Sequence, residues 1–318
     1  MPIHRTHDEP LSKHSTIGVG GAAATFALLS APVTGSEIAD LVRDRRYIIV
    51  GNASNVLFSS DAFDGVVITT QGLSRIEVNK PPGFGGSGDS HVVADVRLEC
   101  GVTSSAAIRA CIAEDLGGLE CFAGIPGTVG GIVAMNAGSF FESVVNADIE
   151  GCAEYFDSDW NLVKRPLASI EHGYRRCELN GLFVYAIELR LPYRPGAETK
   201  AAVDKALEDR RAKQPQVVLT MGSTFKNPDG DYAGRLLEAS GLKGFRVGGA
   251  SFSKVHANFI INEGGATSDD VLDLMAEGKR RVLFKFNVIL TPEVVYVGAP
   301  DPRWDYLSNR AGERSNDE

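Results

Sequence analysis

Backbone chemistry stands out first in this chain, in two glycine-rich stretches. Residues 124–131 read GIPGTVGG, and residues 49–55 read IVGNASN. Glycine loses more conformational freedom on folding than any other residue, so a cluster implies a sharp turn or a ligand lying close to the backbone. Bare amides in a concave loop suit phosphate oxygens without a Walker-type motif. Asn52, Ser54 and Asn55 add side chains that hydrogen-bond. Taken singly, each stretch reads equally well as a structural turn. Two in one domain, each after a strand or helix end, favour a dinucleotide whose diphosphate lies between them.

Two further stretches carry side-chain chemistry. GSTFKNP (222–228) sets Ser223 between a glycine and Thr-Phe-Lys-Asn-Pro, and on pattern alone an ST-turn is the simpler reading. GLKGFRVGGASFSKVHANFIIN (241–262) gathers Lys243, Arg246, Lys254 and His256 around glycines and an apolar strand. In an acidic protein such a run suits an anionic ligand, with lysine as a compact phosphate-binding charge; a solvated surface explains it equally well. GFGGSG (83–88) matches a dinucleotide fingerprint in letters but follows Asn-Lys-Pro-Pro, and no helix comes after it. The fingerprint works only as strand, tight turn and helix in that order, so this loop reads as a hairpin tip. GVGGAA (18–23) lacks an apolar first strand, and a Rossmann fold is excluded.

The elements that must position these residues read as α+β. SEIADLVRDR (36–45) has a serine cap and helical apolar spacing, and YIIVG (47–51) is a strand entering a turn. GVVITT (65–70), RIEVN (75–79) and HVVADVRLEC (91–100) continue as strands, with KPPGFGGSGDS (80–90) as a loop between the last two. Thr103 caps a helix that ends at Gly117 and Gly118. Strands follow at 145–157, 161–167 and 182–191, then a charged helical connection from Pro195 to Gln214. YAGRLLEASG reads as a helix, and Thr267 with Asp270 opens another through a capping box. FKFNVILTPEVVYVG (284–298) reads as a strand pair, and residues 301–318 as a polar, frayed, disordered tail.

Composition narrows the function classes. The 318 residues are 43% hydrophobic and 23% charged with a net charge of -9, enough apolar material for one large or two modest domains. An acidic chain of pI about 5.3 makes nucleic-acid binding a poor reading, while a local basic pocket stays open. The N-terminus has no apolar signal segment, and no apolar run approaches the length that spans a bilayer. Cys100, Cys111, Cys121, Cys152 and Cys177 are odd in number without CxxC spacing, so they read as thiols in a reducing cytoplasm. The six histidines form no HxxxH or HExxH pattern, so no metal site is expected.

In order along the chain stand STIGVGG (15–21), IIVGNASNVLFSSDAFDGVVI (48–68), GLECFAGIPGTVGGIVAMNAGSF (118–140) and GYR (173–175). GSTFKNP (222–228), AGRLLEASGLKG (233–244), SKVHANFIIN (253–262) and LTPEV (290–294) follow. This series, over roughly residues 14–298, closely resembles the UDP-N-acetylenolpyruvoylglucosamine reductase family. The resemblance implies an FAD-binding domain of the vanillyl-alcohol-oxidase (PCMH) type at 14–195, in two subdomains of about 14–72 and 73–195. A smaller α/β substrate-binding domain would occupy 200–298, with a strand at 286–298 returning to the active site. It implies that Gly51, Asn52, Ala53, Ser54 and Asn55, with Gly124, Ile125, Pro126, Gly127, Gly130 and Gly131, hold FAD. Arg175, Ser223 and Glu293 match the catalytic positions, and Tyr174, Asn227, Lys243 and His256 those that contact the UDP-sugar. The SKVHANFIIN wording and the short span after GYR resemble the subtype that lacks a substrate-covering tyrosine loop.

The chemistry implied is cytoplasmic reduction of UDP-N-acetylenolpyruvoylglucosamine to UDP-N-acetylmuramate, a step of peptidoglycan synthesis, with NADPH as co-substrate. Hydride from the flavin reaches C3 of the enol ether, and negative charge grows at C2 and its carboxylate. Arg175 neutralises that charge and Ser223 delivers a proton to C2 with help from a hydrogen-bonded path or a cation. Glu293 shares a proton with the carboxylate, which calls for a pKa raised by burial.

Three departures bear on flavin affinity. Ala53 stands where the family commonly has glycine, SFFES (139–143) follows AMNAG, and the 80–90 loop looks inserted. An FAD-dependent oxidase of the same fold is a rival reading, although no histidine lies in either glycine loop to tether a flavin. A non-catalytic flavin or UDP-sugar binder is another, and the joint retention of Arg175, Ser223 and Glu293 speaks against it.

Overall fold

The alternating run VADVRLE forms a strand, Val93–Glu99, antiparallel to Phe183–Pro192, with Val93 opposite Pro192 and Glu99 opposite Ala186. Period-two alternation sends Ala94, Val96 and Leu98 to one face and Asp95, Arg97 and Glu99 to the other. Ile76–Asn79, Gly151–Phe156 and Leu162–Pro166 complete a five-stranded sheet in the order 162–166, 151–156, 183–192, 93–99, 76–79. The computed structural model describes residues 2–30, 32–84, 92–145, 149–216 and 219–308. Most of the 80–90 loop and residues 309–318 therefore lie outside the described residues.

The chain separates into two compact units. One is Met1–Thr6, Thr25–Asn52 and Gly65–Ala212; the other is His7–Ala24, Ala53–Asp64 and Lys213–Glu318. The reason for this interleaving lies in the core. Ile17, Val19 and Leu57, early in sequence, are buried with Met221, Phe225, Leu237 and Ile260. The expected boundary near 195–200 thus moves to 212/213, and parts of 14–72 belong with the C-terminal residues.

In the first unit, helix α1 (Gly35–Val42) is capped by Thr34, whose hydroxyl accepts from Glu37 N while Glu37 accepts from Thr34 N. The cap is thus two residues earlier than the expected Ser36. Helix α2 (Ser104–Ala113) is capped by Thr103, as its sequence predicts. Two short helices follow, α3 (Val129–Ala134) and α4 (Phe140–Val145). Of the strand expected at 145–157, Gly151–Phe156 forms; Val145 instead ends α4, whose FFESVV buries Phe140, Phe141 and Val144 at helical spacing, and residues 146–148 lie outside the described residues. Helix α5 (Gly196–Lys213) lays Thr199 and Val203 against the unit's core.

In the second unit an antiparallel sheet runs Thr220–Ser223, Phe259–Asn262, Ala250–Phe252, Arg246–Val247. Helices α6 (Ala233–Ala239) and α7 (Ser268–Phe286) supply Leu236, Leu237, Val271, Leu274, Met275 and Val282 to its core. The Thr267–Asp270 capping box forms. Helix α7 passes through Gly278, where a side chain would crowd Phe252, and stops at left-handed Asn287. The expected strand pair at 284–298, and with it the 286–298 strand, shrinks to Val295–Val297, parallel to Val56–Phe58. Part of the expected tail is also ordered: helix α8 (Pro302–Ser308) buries Leu307 and stacks Trp304 on Tyr296. Lys279 Nζ donates to the carbonyls of Tyr306 (2.7 Å) and Leu307 (2.8 Å) at its end.

Burial raises the thiols of Cys100 and Cys111 to about 12 and Cys121 to about 11, which makes them unreactive toward thiolate chemistry. No helix among the described residues is long and apolar enough to cross a membrane.

Candidate active site

The glycine stretches are shaped by close approach. Strand Tyr47–Val50 delivers Gly51, where a side chain would put its Cβ 2.1 Å from Thr128 Oγ1. Thr128 is buried and its hydroxyl has no hydrogen-bond partner. Such an orphan in a native site calls for a ligand or water. None of the amides of Asn52, Ala53 and Ser54 donates to a described backbone carbonyl. Ala53 is buried at φ 45, a left-handed conformation that explains a preference for glycine there. In the second stretch Gly124 has φ +73, and the Arg210 side chain lies across it. Ile125 and Gly127 turn back on themselves through Gly127 N to Ile125 O (2.9 Å), and Pro126 is exposed. Gly130 N donates to Cys100 O (2.9 Å), while Gly131 is exposed at the start of α3.

Arg175 stands at the tip of a two-strand hairpin, His172–Gly173 with Arg176–Cys177, at φ 53. The hub behind it is Asn136, itself left-handed and buried. Asn136 Nδ2 donates to Gly173 O (3.0 Å) and to Glu142 (3.1 Å), and its Oδ1 accepts from Phe141 N (3.0 Å). Its carbonyl receives Arg175 Nη1 at 3.5 Å. Phe141 stacks on His172 with ring centres 4.8 Å apart. The unusual SFFES segment is therefore what packs against the hairpin. Tyr174 is exposed, its ring 5.5 Å from the Arg175 guanidinium.

In the second unit the backbone brings Ser223 and Glu293 together. Glu293 N donates to Thr224 O (2.9 Å), Lys226 N to Thr291 O (2.9 Å), and Phe225 pairs with Pro292. Asn258 completes the arrangement with both ends of its carboxamide: Nδ2 donates to Phe225 O (2.8 Å) and Oδ1 accepts from Phe225 N (3.0 Å). Asn55 Nδ2 donates to Glu293 O (3.1 Å), and Val295 N to Asn55 O (2.9 Å). Asn55, the end of the first glycine stretch, thus abuts the segment that carries Glu293. Around α6, Asn227 Oδ1 accepts from Ala233 N (3.1 Å), and a side chain at Gly234 would lie 2.6 Å from His256. Lys243 pairs with Glu238 at 2.9 Å. Burial holds His256 below the usual histidine range, and its Nδ1 accepts from Asn258 N (3.2 Å). The neutral ring then carries its proton on Nε2, ready to donate.

Residues 26–147 match an FAD binding domain model, and 214–297 match the model of the UDP-N-acetylenolpyruvoylglucosamine reductase C-terminal domain. The chain is 37% identical to the UDP-N-acetylenolpyruvoylglucosamine reductase of Caldicellulosiruptor saccharolyticus, with 94% of this chain and 93% of that protein covered. It is 40% identical to the protein of that name from Anaeromyxobacter sp., covering 92% and 88%. The chain belongs to the UDP-N-acetylenolpyruvoylglucosamine reductase family. The solved structure of the Thermus caldophilus reductase superposes with a TM-score of 0.73 at 30% identity, over 93% of this chain and 99% of that one. The α+β fold with a vanillyl-alcohol-oxidase-type FAD domain follows from this membership.

The reductase residues predicted from sequence divide between the units. Gly51, Asn52, 124–131, Tyr174 and Arg175 lie in the first, and Ala53 to Asn55, Ser223, Asn227, Lys243, His256 and Glu293 in the second. Within the first unit, the glycine cradle at Gly51 and the orphan Thr128 hydroxyl fit the diphosphate of FAD. Sequence reading missed Thr128, Asn136, Asn258 and Arg210. The first three are short polar residues whose importance comes from burial, and Arg210 sits in a helix whose letters read as a charged connection.

Proposed function

We propose that this flavin-dependent oxidoreductase reduces UDP-N-acetylenolpyruvoylglucosamine to UDP-N-acetylmuramate in the cytoplasm, with NADPH as reductant, during peptidoglycan precursor synthesis. One observation carries the reading: Ser223 and Glu293, far apart in sequence, stand on neighbouring rungs joined by the Glu293 N to Thr224 O bond. A weak acid and a carboxyl carried on adjoining backbone segments suit a reaction that must end with proton delivery.

Gly51, Thr128 and the amides after Gly51 would hold the FAD diphosphate. Bound FAD supplies the hydride. The remaining chemistry belongs to the chain. Arg175, fixed on its hairpin by Asn136, neutralises charge that grows on the substrate carboxylate as C3 gains hydride. Ser223 gives its hydroxyl proton to C2, completing addition of one hydride and one proton across the double bond. Glu293 hydrogen-bonds the carboxylate of the reacting group. Asn227, Lys243 and His256 bind the UDP-sugar around α6, His256 as a neutral donor through Nε2.

The test is a purified protein examined for a flavin spectrum, then for NADPH oxidation with and without the enolpyruvyl sugar under limited oxygen. Oxidation that requires the sugar supports the reductase. Turnover of another substrate that requires oxygen would show an oxidase instead, and absence of any turnover a binder. Substituting NADH in the same assay reads the nicotinamide preference.

A further inference from the structure

A strand inside a sheet takes its hydrogen bonds from neighbours on both sides. Residues 224–226 have a backbone ladder on one side: Glu293 N donates to Thr224 O (2.9 Å) and Lys226 N to Thr291 O (2.9 Å), around the Phe225–Pro292 pair. On the other side the ladder has just slipped. Thr220 stands opposite Ile261 and Ser223 opposite Phe259, so one strand carries an extra residue, and Gly222 bends there at φ 76. Asn258 takes over where that ladder stops. Its carbonyl accepts from Thr224 N (2.8 Å), its Nδ2 donates to Phe225 O (2.8 Å) and its Oδ1 accepts from Phe225 N (3.0 Å). A carboxamide carries a donor and an acceptor as a peptide group does, so this side chain stands in for a missing strand residue. Asn258 is 3% exposed and Phe225 1%, so removing the carboxamide would leave two buried backbone groups without partners.

The same residue reaches His256. Asn258 N donates to His256 Nδ1 (3.2 Å), which leaves Nε2 to carry the proton of the neutral ring. The turn around them is closed by Ser253 N to Phe259 O (2.8 Å) and Phe259 N to His256 O (3.0 Å), and Ser253 Oγ accepts from Val255 N (3.0 Å). The His256 ring also meets Phe259 edge to face, with centres 5.1 Å apart. Ring, turn and carboxamide therefore belong to one piece of structure, and both ends of the Asn258 side chain are engaged by Phe225.

We propose that Asn258 is a positioning residue: its carboxamide replaces a strand to hold the Ser223 and Glu293 segments in place, and its backbone joins them to His256. The sugar is then gripped, and its proton delivered, from one rigid piece. This rests on the functional reading above for the roles of Ser223, Glu293 and His256. Asn258 touches no ligand on this assignment and acts through Thr224 and Phe225. Its effect falls on the step in which Ser223 gives up its proton, where a small misplacement is costly.

The experiment uses the full flavin-loaded chain and compares wild type, Asn258→Ala and Asn258→Asp, well below each unfolding midpoint. The flavin is reduced with NADPH without oxygen, then mixed with the enolpyruvyl sugar while absorbance follows its reoxidation. A shift of Ser223 by about 1 Å predicts reoxidation roughly ten- to hundredfold slower per bound flavin in Asn258→Ala. Reduction by NADPH and the sugar's dissociation constant stay within about threefold. Lower stability alone would thin the folded population and leave the rate per bound flavin unchanged. In Asn258→Asp the introduced carboxyl copies the carboxamide when protonated, its hydroxyl donating to Phe225 O; ionised, it sets an acceptor against that carbonyl. Its rate relative to wild type therefore falls as pH rises from about 5 to 9, the span in which a buried carboxyl titrates. Wild-type reoxidation rates in both variants would overturn the proposal, as would equal losses in reoxidation, NADPH reduction and sugar binding. A wild type whose reduced flavin ignores the sugar would sink the reductase reading instead. Hydrogen exchange then decides the clamp: faster exchange at Thr224, Phe225 and Glu293 in Asn258→Ala upholds it, and unaltered exchange there overturns it.

Discussion

Arg175 and Ser223 are held in opposite ways. Arg175 occupies a left-handed hairpin tip that leans on Asn136, whose carbonyl receives Arg175 and whose side chain serves Gly173, Phe141 and Glu142. Ser223 ends a strand opposite Phe259, just past a register shift at Gly222 (φ 76), and its neighbours Thr224, Phe225 and Lys226 are tied by backbone bonds to 258 and 291–293. The first arrangement holds a non-glycine residue in a left-handed conformation against a side-chain hub; the second relies on several backbone bonds. A guanidinium with a long stem needs its base fixed against sheet twist, which a hub supplies. A serine hydroxyl reaches only a short way, so the backbone itself must be placed.

The largest effect expected is chemical and tests the backbone-held arrangement. Ser223→Ala removes the proton donor without disturbing any backbone bond, so substrate-dependent flavin reoxidation falls about 10²- to 10⁴-fold. Reduction of the flavin by NADPH stays near wild type in rapid-mixing absorbance traces. Wild-type turnover by this variant would remove Ser223 from the mechanism.

Breaking the hub comes next. Asn136→Ala leaves Gly173 O and the Glu142 carboxylate without their donor, at a cost of roughly 2–4 kcal/mol in folding free energy. Denaturant unfolding reads that loss, and the Michaelis constant for the sugar rises because Arg175 loses its base. A midpoint unchanged from wild type would show that support for the hairpin is distributed as in the second unit.

A smaller effect depends on pH. Burial depresses the His256 pKa in the fold, so as pH falls the unfolded chain takes up the proton first. Stability is therefore full above about 6.5, the unfolded value, and declines as pH drops from there toward the folded value. His256→Gln should flatten that part of the stability profile, and an unaltered slope would locate the titration elsewhere.

The smallest effect concerns the glycine stretch. Ala53→Gly relieves a left-handed alanine and also frees the unfolded chain, for a net gain of up to about 1 kcal/mol. It should also tighten FAD binding if the methyl crowds the diphosphate, as the departure from the family pattern suggests. Weaker flavin retention in the variant would show that the methyl packs productively.

Much of the local structure was legible in the letters. Alternation in 93–99 and 183–192, the Thr103 cap and the Thr267–Asp270 box are short-range patterns, and all of them form. Errors came where a short-range pattern fits two outcomes. FKF is apolar enough for a strand, and its neighbours in space decided for helix. The tail read as frayed because Leu307, Trp304 and Arg303 are scattered singly; Lys279 and Tyr296, close only in the fold, give them partners. For the proposed site, Arg175, Ser223 and Glu293 could be nominated from sequence because their motifs are carried as words. Thr128, Asn136 and Arg210 have no such words.

The sequence by itself determined the elements with clear period, the glycine stretches, the family and thus the flavin chemistry, because these reside in residue type and spacing along the chain. Tertiary structure alone decided which unit each segment joins, which polar groups are buried, and which remote residues come to share a hydrogen bond. Those depend on burial and on distance between residues remote in sequence, and neither is a property of any stretch of letters.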